Sequence, residues 1–270
     1  MIKRYHEAPK MIFEKVQDYT DGDYALVHLF ESDREYFDMF KRAVQKGRDV
    51  ILDNSIFELG ESFDHARFAY WVNQLRPTWY IVPDVWKDGK ATAQMFNEFV
   101  EEYPRLPGMR IGVAQGHTLN EVAECYMAIE SKCDMVAFNL DFSSYCEVDN
   151  GLPYCVRMSL GRFEMLRDLM DAQIINTNKC HHLLGCGVPQ EIMWYPEEWS
   201  WIRSIDTCNP VLHGMLGHLY NKDMPGLLYK LPQKMCDLMN SSITRKQWLD
   251  VKYNLEMMQT MGRYRECKKS

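Results

Sequence analysis

The stretches DVILDN (Asp49–Asn54), WYIVPD (Trp79–Asp84) and RIGVAQ (Arg110–Gln115) decide the reading of the fold. Each is a short apolar run that stops at polar residues: Asp53-Asn54-Ser55, then Pro83-Asp84, then Gln115-Gly116. Between them lie two amphipathic stretches, Phe63–Leu75 stopped by Pro77 and Ala91–Glu102 stopped by Pro104. Strand, helix and strand in that rhythm predict parallel strands joined by crossover helices.

The rhythm extends in both directions. Upstream, Tyr24–Phe30 (YALVHLF) reads as a buried strand, and Glu35–Lys46 carries Phe37, Phe40 and Val44 at helical spacing. Downstream, Leu119–Ser131 reads as a helix with Thr118 or Asn120 as its cap. Asp134–Asn139 is a strand ending near Asp141, followed by a loop rich in Ser, Asn and Gly. Arg162–Ala172 is helical, His181–Leu184 is a strand running into Gly185-Cys186-Gly187, and Pro189–Met193 opens another helix. Trp201–Ile205 (WIRSI) is a strand ending at Asp206.

Seven such units in one α/β chain predict a (β/α)8 TIM-like barrel with an irregular last unit, for which Gly226–Lys230 (GLLYK) is the candidate strand. Residues 1–235 would form the barrel, and residues 236–270 a short helical, basic C-terminal extension packed on it. Its cations are Arg245, Lys246, Lys252, Arg263, Arg265, Lys268 and Lys269.

The 270 residues suit one barrel, and 46% hydrophobic against 26% charged residues is a globular balance that argues against disorder. A net charge of −7 disfavours a generally basic nucleic-acid-binding protein, while leaving room for a local basic face. The nine cysteines are scattered without a CxxC pair, which predicts free thiols in a reducing cytoplasm. Met1–Lys15 lacks the apolar core of a signal peptide, and no apolar run approaches a membrane span.

In a (β/α)8 barrel the chemistry sits at the carboxyl ends of the strands. There the sequence places Asp53, Asp84, Gln115, Asp141, the Gly185–Gly187 turn and Asp206. A single acid after a strand is ordinarily a helix cap. Several in one chain suit a nucleophile and a general acid/base at an anomeric carbon. There is no HxH after the first strand, and His181-His182 opens a strand, at the non-catalytic end, which favours a surface or core role over a metal site. P-loop and dinucleotide-binding glycine patterns are absent, so neither a cofactor nor a metal is expected.

LDNSIFELGE (Leu52–Glu61), VPDVWKDG (Val82–Gly89), GVAQG (Gly112–Gly116), LLGCGVPQE (Leu183–Glu191) and SIDTCNP (Ser204–Pro210) resemble, in this order, the motifs of tRNA-guanine transglycosylases. The resemblance implies a pentosyltransferase that exchanges guanine in a nucleic acid for a 7-deazaguanine base. It implies Asp206 as the nucleophile on the sugar C1′, forming an aspartyl–sugar intermediate, and Asp53 as general acid/base. Phe57 would stack on the base, Asp84 and Gln115 would read its edge, and Gly185, Cys186, Gly187 and Glu191 would line its turn.

The chain departs from the family in having Ser55 and Ile56 where two glycines are usual, Glu58 for Gln, and Cys186 for the second glycine of the turn. The family's arginine downstream of the nucleophile is missing. Only Cys236 and Cys267 follow Cys208, so the zinc subdomain of tRNA-acting members is absent. The similarity is therefore to compact, zinc-free phage and bacterial paralogues acting on DNA, in the host cytoplasm if phage-encoded. DNA and a free 7-deazaguanine base would be the partners, with a homodimer left open. Phosphates would be gripped by Arg245, Lys246, Arg263 and Arg265, or by loops bearing Arg157, Arg162 and Lys179. The alternatives are a zinc-free tRNA enzyme, a catalytically silent nucleic-acid-binding partner subunit, and a glycoside hydrolase.

Overall fold

A computed structural model describes residues 2–145, 151–220, 231 and 233–264. Eight strands close into a barrel in chain order. They are β1 (Lys3–His6), β2 (Gly22–Leu26), β3 (Val50–Asp53), β4 (Trp79–Ile81), β5 (Met109–Ala114), β6 (Met135–Phe138), β7 (Cys180–Leu183) and β8 (Ile202–Asp206). The (β/α)8 expectation holds, but the strand missing from the sequence reading is the first, not the last. β1 reads as polar (KRYH) because its burial depends on partners. Asp21 Oδ2 accepts from the Arg4 backbone N–H at 2.8 Å and from Arg4 Nε at 3.1 Å, so a charged residue is nearly buried in a strand. Gly226–Lys230 lies outside the described residues, and the barrel needs no strand from it.

The chain divides into two compact units. One comprises residues 22–139 and 169–182. In it β2 to β6 pair in sequence, all parallel, with Leu26 opposite Asp53 and Ala114 opposite Phe138. Side-chain caps start its helices: Asp33 accepts from Tyr36 N–H, Asp64 from Arg67, Asp88 from Ala91 and Thr118 from Glu121. The apolar run Tyr24–Phe30 is not one strand. β2 ends at Leu26, and Val27–Ser32 is helical. Val27 and Phe30, three residues apart, are buried, and the Phe30 ring centroid lies 5.2 Å from Phe37 and 5.5 Å from Trp71. Of the surface or core role expected for His181, the structure shows the core one: its ring stacks with Tyr126 and Phe138, and its Nε2 lies 3.0 Å from the Tyr126 hydroxyl.

The other unit comprises residues 1–21, 140–168 and 183–270. β1 and β8 pair in parallel, with Tyr5 opposite Asp206. The helix Tyr154–Asp171 starts well before the expected Arg162. Gly161 hides it from pattern reading, because glycine is a poor helix former. It stands there because a Cβ would come within 1.9 Å of the Phe142 carbonyl oxygen. The C-terminal helix Arg245–Tyr264 packs on the helix Asn209–Met215, where a Cβ on Gly214 would lie 2.4 Å from Val251 Cα. Among the described residues no helix is long and apolar enough to cross a membrane.

Candidate functional site

The polar residues that end β3, β4, β5 and β6 form one hydrogen-bonded chain. Asn54 Nδ2 donates to Asp84 Oδ1 at 2.7 Å and to the Val82 carbonyl at 3.0 Å. Gln115 Nε2 donates to Asp84 Oδ2 at 2.6 Å. Gln115 Oε1 in turn accepts from Asn139 Nδ2 at 3.1 Å and from the Lys87 backbone N–H at 3.1 Å. All four side chains are buried. Asp84 is 2% exposed, and no cation pairs with it among the described residues. Burial pushes its carboxyl up to about 6, against the pull of the Gln115 and Asn54 amides.

Asp53 lies beside this chain. Its Oδ1 accepts from the Tyr24 hydroxyl at 2.9 Å and its Oδ2 from the Ser55 backbone N–H at 2.7 Å. Ser55 has φ 62°, the left-handed region where a β-carbon is disfavoured. That strain is local to the strand end, a usual place for it at functional sites. Phe57 and Trp86 follow β3 and β4 and stand 45% and 37% exposed, with ring centroids 6.1 Å apart. The two rings are tilted by 48° to one another and leave an exposed apolar patch.

The other unit carries a separate cluster. The Gly185 backbone N–H donates to Asp206 Oδ1 at 2.9 Å. Gly185 has φ 62°, and the turn it begins is held from beneath by Arg162. The Arg162 guanidinium donates to the Leu184 carbonyl at 2.7 Å and the Gly185 carbonyl at 2.9 Å, and pairs with Glu191 Oε1 at 2.7 Å. Both side chains are fully buried. Glu191 also accepts from Ser159 Oγ at 2.7 Å and Tyr195 Oη at 2.5 Å, so its carboxylate is occupied within the protein. Cys186 Sγ lies 3.1 Å from the Val188 carbonyl, and burial pushes its thiol well above the usual range. Gly187 has a packing reason: a Cβ there would lie 2.6 Å from the Cys155 carbonyl oxygen. Asp141 accepts from Ser143 Oγ at 2.6 Å and Tyr154 Oη at 2.7 Å.

Arg162 and Lys179 are not free to hold phosphates, as a surface reading of those loops had it. Arg162 is sealed in its ion pair, and Lys179 Nζ donates to the carbonyls of Glu130 and Cys133, each at 2.6 Å. Arg245 and Lys246 are exposed at the start of the last helix, where Lys246 pairs with Asp250 at 2.7 Å. Arg263 lies on that helix, and Arg265 falls outside the described residues. The sequence reading missed Asn54 and Asn139. Asn54 and Asn139 stood in plain view after strands, and a rule that counts amides as well as acids there finds them. No group of three or more His, Cys, Asp or Glu placed to hold a metal ion occurs among the described residues.

No family model and no curated protein matches the sequence. The fold is similar to D-psicose 3-epimerase from Clostridium cellulolyticum H10, solved with D-tagatose, at 9% identity over 97% of this chain and 99% of that one, with a TM-score of 0.51. It is also similar to 3-keto-L-gulonate-6-phosphate decarboxylase from Vibrio cholerae O1 biovar El Tor str. N16961, at 9% identity over 96% and 98% of the two chains, with a TM-score of 0.50. An enolase protein from Sargasso Sea environmental sequencing matches 76% of this chain at 9% identity and a TM-score of 0.44, and the chain spans 54% of that protein's length.

Neither the epimerase nor the decarboxylase is a tRNA-guanine transglycosylase, no family model of that kind matches, and the resemblance drawn from the strand-end motifs is overturned. With it fall the guanine exchange, the 7-deazaguanine ligand and the DNA-modifying role. The physical reason is that an apolar strand followed by an acid or amide and a glycine is what any parallel barrel writes at its strand ends. The residues quoted for the resemblance stand on their geometry alone.

Proposed function

We propose that the chain is an enzyme that moves a proton within a small carbonyl-bearing substrate, with Asp84 as the group that takes and returns it. One observation carries this reading. Asp84 is a buried carboxyl at a strand's carboxyl end, gripped on both oxygens by neutral amides and held near a pKa of about 6. An unpaired buried carboxyl costs stability, so packing gives no reason for it. A proton affinity close to the working pH is what a general base that must also act as an acid requires.

The ionised carboxylate takes a proton from a carbon next to a carbonyl. The C–H electron pair becomes the new C=C bond, and the carbonyl π pair moves to oxygen. Return of the proton to the other face of the same carbon gives an epimer. Where that carbon carries a hydroxyl, its proton passes to the former carbonyl oxygen, a new C=O forms there, and the carbon-bound proton goes to the former carbonyl carbon, giving an isomer with no net redox change. Each carboxylate oxygen has two lone pairs, so the amide bonds leave one on each for this work. Those bonds also fix the carboxylate plane, which spares the orientation cost at the moment of transfer.

The test is proton exchange in D2O. The protein is incubated with a panel of aldoses, ketoses, their phosphates and 2-keto acids, and deuterium incorporation is read by mass spectrometry. At least one compound gains deuterium at a carbon next to its carbonyl, and Asp84→Asn lowers that rate by about 10²–10⁴-fold. Exchange in none of them, or an unchanged rate in a folded Asp84→Asn variant, overturns the reading.

A further inference from the structure

We infer that Phe57 and Trp86 form a binding site for a small organic ammonium ion, which seats against the two rings in acidic surroundings. The inference does not depend on the proton transfer proposed for Asp84.

The two rings are carried by segments that are tied together beneath them. Phe57 stands three residues after Asn54 and Trp86 two after Asp84, and the Asn54 amide donates to Asp84 Oδ1 at 2.7 Å. Both rings reach solvent, while Ile56 beside Phe57 is buried. Their centroids lie 6.1 Å apart. A cation against the pair can therefore lie within about 6 Å of both centroids, the range over which a ring face attracts it.

The backbone on either side is strained. The described residues other than glycine with left-handed backbone are Ser55 (φ 62°), Arg76 (φ 58°), Lys87 (φ 59°) and Gln173 (φ 57°). Arg76 and Gln173 follow the ends of the helices His65–Leu75 and Tyr154–Asp171, where that conformation is common. Ser55 and Lys87 stand ahead of helices instead. Ser55 opens Ile56–Leu59, and Lys87 directly precedes the Asp88 that caps Gly89–Glu102. Extended backbone is usual at a helix start, so no helix end accounts for these two. Each is pinned by its N–H, Ser55 to Asp53 Oδ2 at 2.7 Å and Lys87 to Gln115 Oε1 at 3.1 Å. Ser55 lies two residues before Phe57, and Lys87 directly follows Trp86. Strain that the surrounding bonds enforce is a mark of ligand clamps.

Charge selects the ligand. Residues 53–61 and 82–88 carry Asp53, Glu58, Glu61, Asp84 and Asp88, with Lys87 as their sole cation. That balance disfavours phosphates and carboxylates and attracts cations. Aromatic ring faces, which are negative, act in the same sense, and tryptophan is the best of them. The chain uses this attraction on its other exposed aromatic rings. The Arg67 guanidinium lies 4.9 Å from the centroid of Tyr70, and that of Arg157 5.6 Å from the centroid of Tyr154. Among the described residues no cation of the chain lies over the Trp86 ring. An organic ammonium fits better than a metal ion, because its carbon groups cover the same apolar rings.

The experiment uses the full chain labelled with nitrogen-15 tryptophan, the Trp86 indole N–H resonance being assigned by its loss in Trp86→Phe. Choline is titrated in, and separately dimethylbutanol, the same skeleton with carbon in place of the ammonium nitrogen, at matched ionic strength. Choline moves the Trp86 resonance saturably, and dimethylbutanol binds at least about threefold more weakly. Phe57→Leu, which keeps apolar area and loses the ring face, removes most of that preference. Lys87→Asn, which keeps a residue tolerant of left-handed backbone and removes the competing charge, tightens choline. A Trp86 resonance that choline leaves in place overturns the inference, and so does a neutral compound that binds as tightly as choline. Neither result bears on Asp84, whose test is deuterium exchange.

Discussion

Gln115 donates to Asp84 and cannot do otherwise. Its Oε1 is committed to the Asn139 amide and the Lys87 N–H, each at 3.1 Å, so only its Nε2 can face Asp84 Oδ2, at 2.6 Å. The amide orientation that reads the carboxylate is thus fixed by a residue one strand further on. Gln115→Glu replaces that donor with a second acceptor beside a buried acid. Two carboxyls at such a distance cannot both ionise, so the pair retains a proton above neutral pH. The variant is expected to lose stability at pH 7 and to recover most of it near pH 5, as read by urea unfolding at the two pH values.

The same acid sets a pH trend in the unsubstituted protein. The folded pKa of Asp84 is about 6 against an ordinary 3.8, so its protonated form is the one the fold prefers. Its stabilising contribution is complete below the unfolded value and disappears as pH rises through about 6. A shift of that size corresponds to roughly 3 kcal/mol. Unfolding free energies measured between pH 4 and 7 should contain this falling component, and Asp84→Asn should flatten it.

Arg162 and Glu191 are fully buried and paired at 2.7 Å. Removing one partner strands the other without water. Arg162→Met is expected to cost about 3–5 kcal/mol in urea unfolding, and Arg162→Met combined with Glu191→Gln less than that. The single variant also frees the Leu184 and Gly185 carbonyls, so backbone amides in the turn after β7 should lose hydrogen-exchange protection before the rest of the unit does.

Ser55 sits in the left-handed region at φ 62°, its N–H on Asp53 and its Oγ 3.4 Å from the His28 N–H. Ser55→Gly should remain within about 1 kcal/mol of the parent, because relief of the backbone offsets the lost hydroxyl. Ser55→Val should cost clearly more, since a β-branched residue is disfavoured there and leaves that N–H without the hydroxyl. Thermal unfolding of the two variants side by side separates these outcomes.

The architecture was legible because its signal is periodic and local. Strand ends such as Asp53, Asp84, Gln115 and Asp206 follow apolar runs and could be placed by counting. β1 was not legible, because Lys3, Arg4 and His6 look like surface residues until Asp21 and Thr207 are known to meet Arg4 and His6. Glu191 illustrates the limit for the site. Its position after a glycine turn suggested a ligand-facing acid, whereas its carboxylate bonds to Arg162, Ser159 and Tyr195, contacts that only the folded chain supplies. The functional reading failed for a related reason. Short motifs at strand ends report the barrel, and the chemistry depends on which side chains those ends bring into contact.

The central claim, that Asp84 is an acid poised near neutrality, is tested most directly by carbon-13 titration of its side-chain carboxyl in aspartate-labelled protein, assigned by comparison with Asp84→Asn. A midpoint at about 6 is the predicted result. A midpoint at or below the ordinary 3.8 would contradict it, and with it the role of Asp84 as the proton-transferring group.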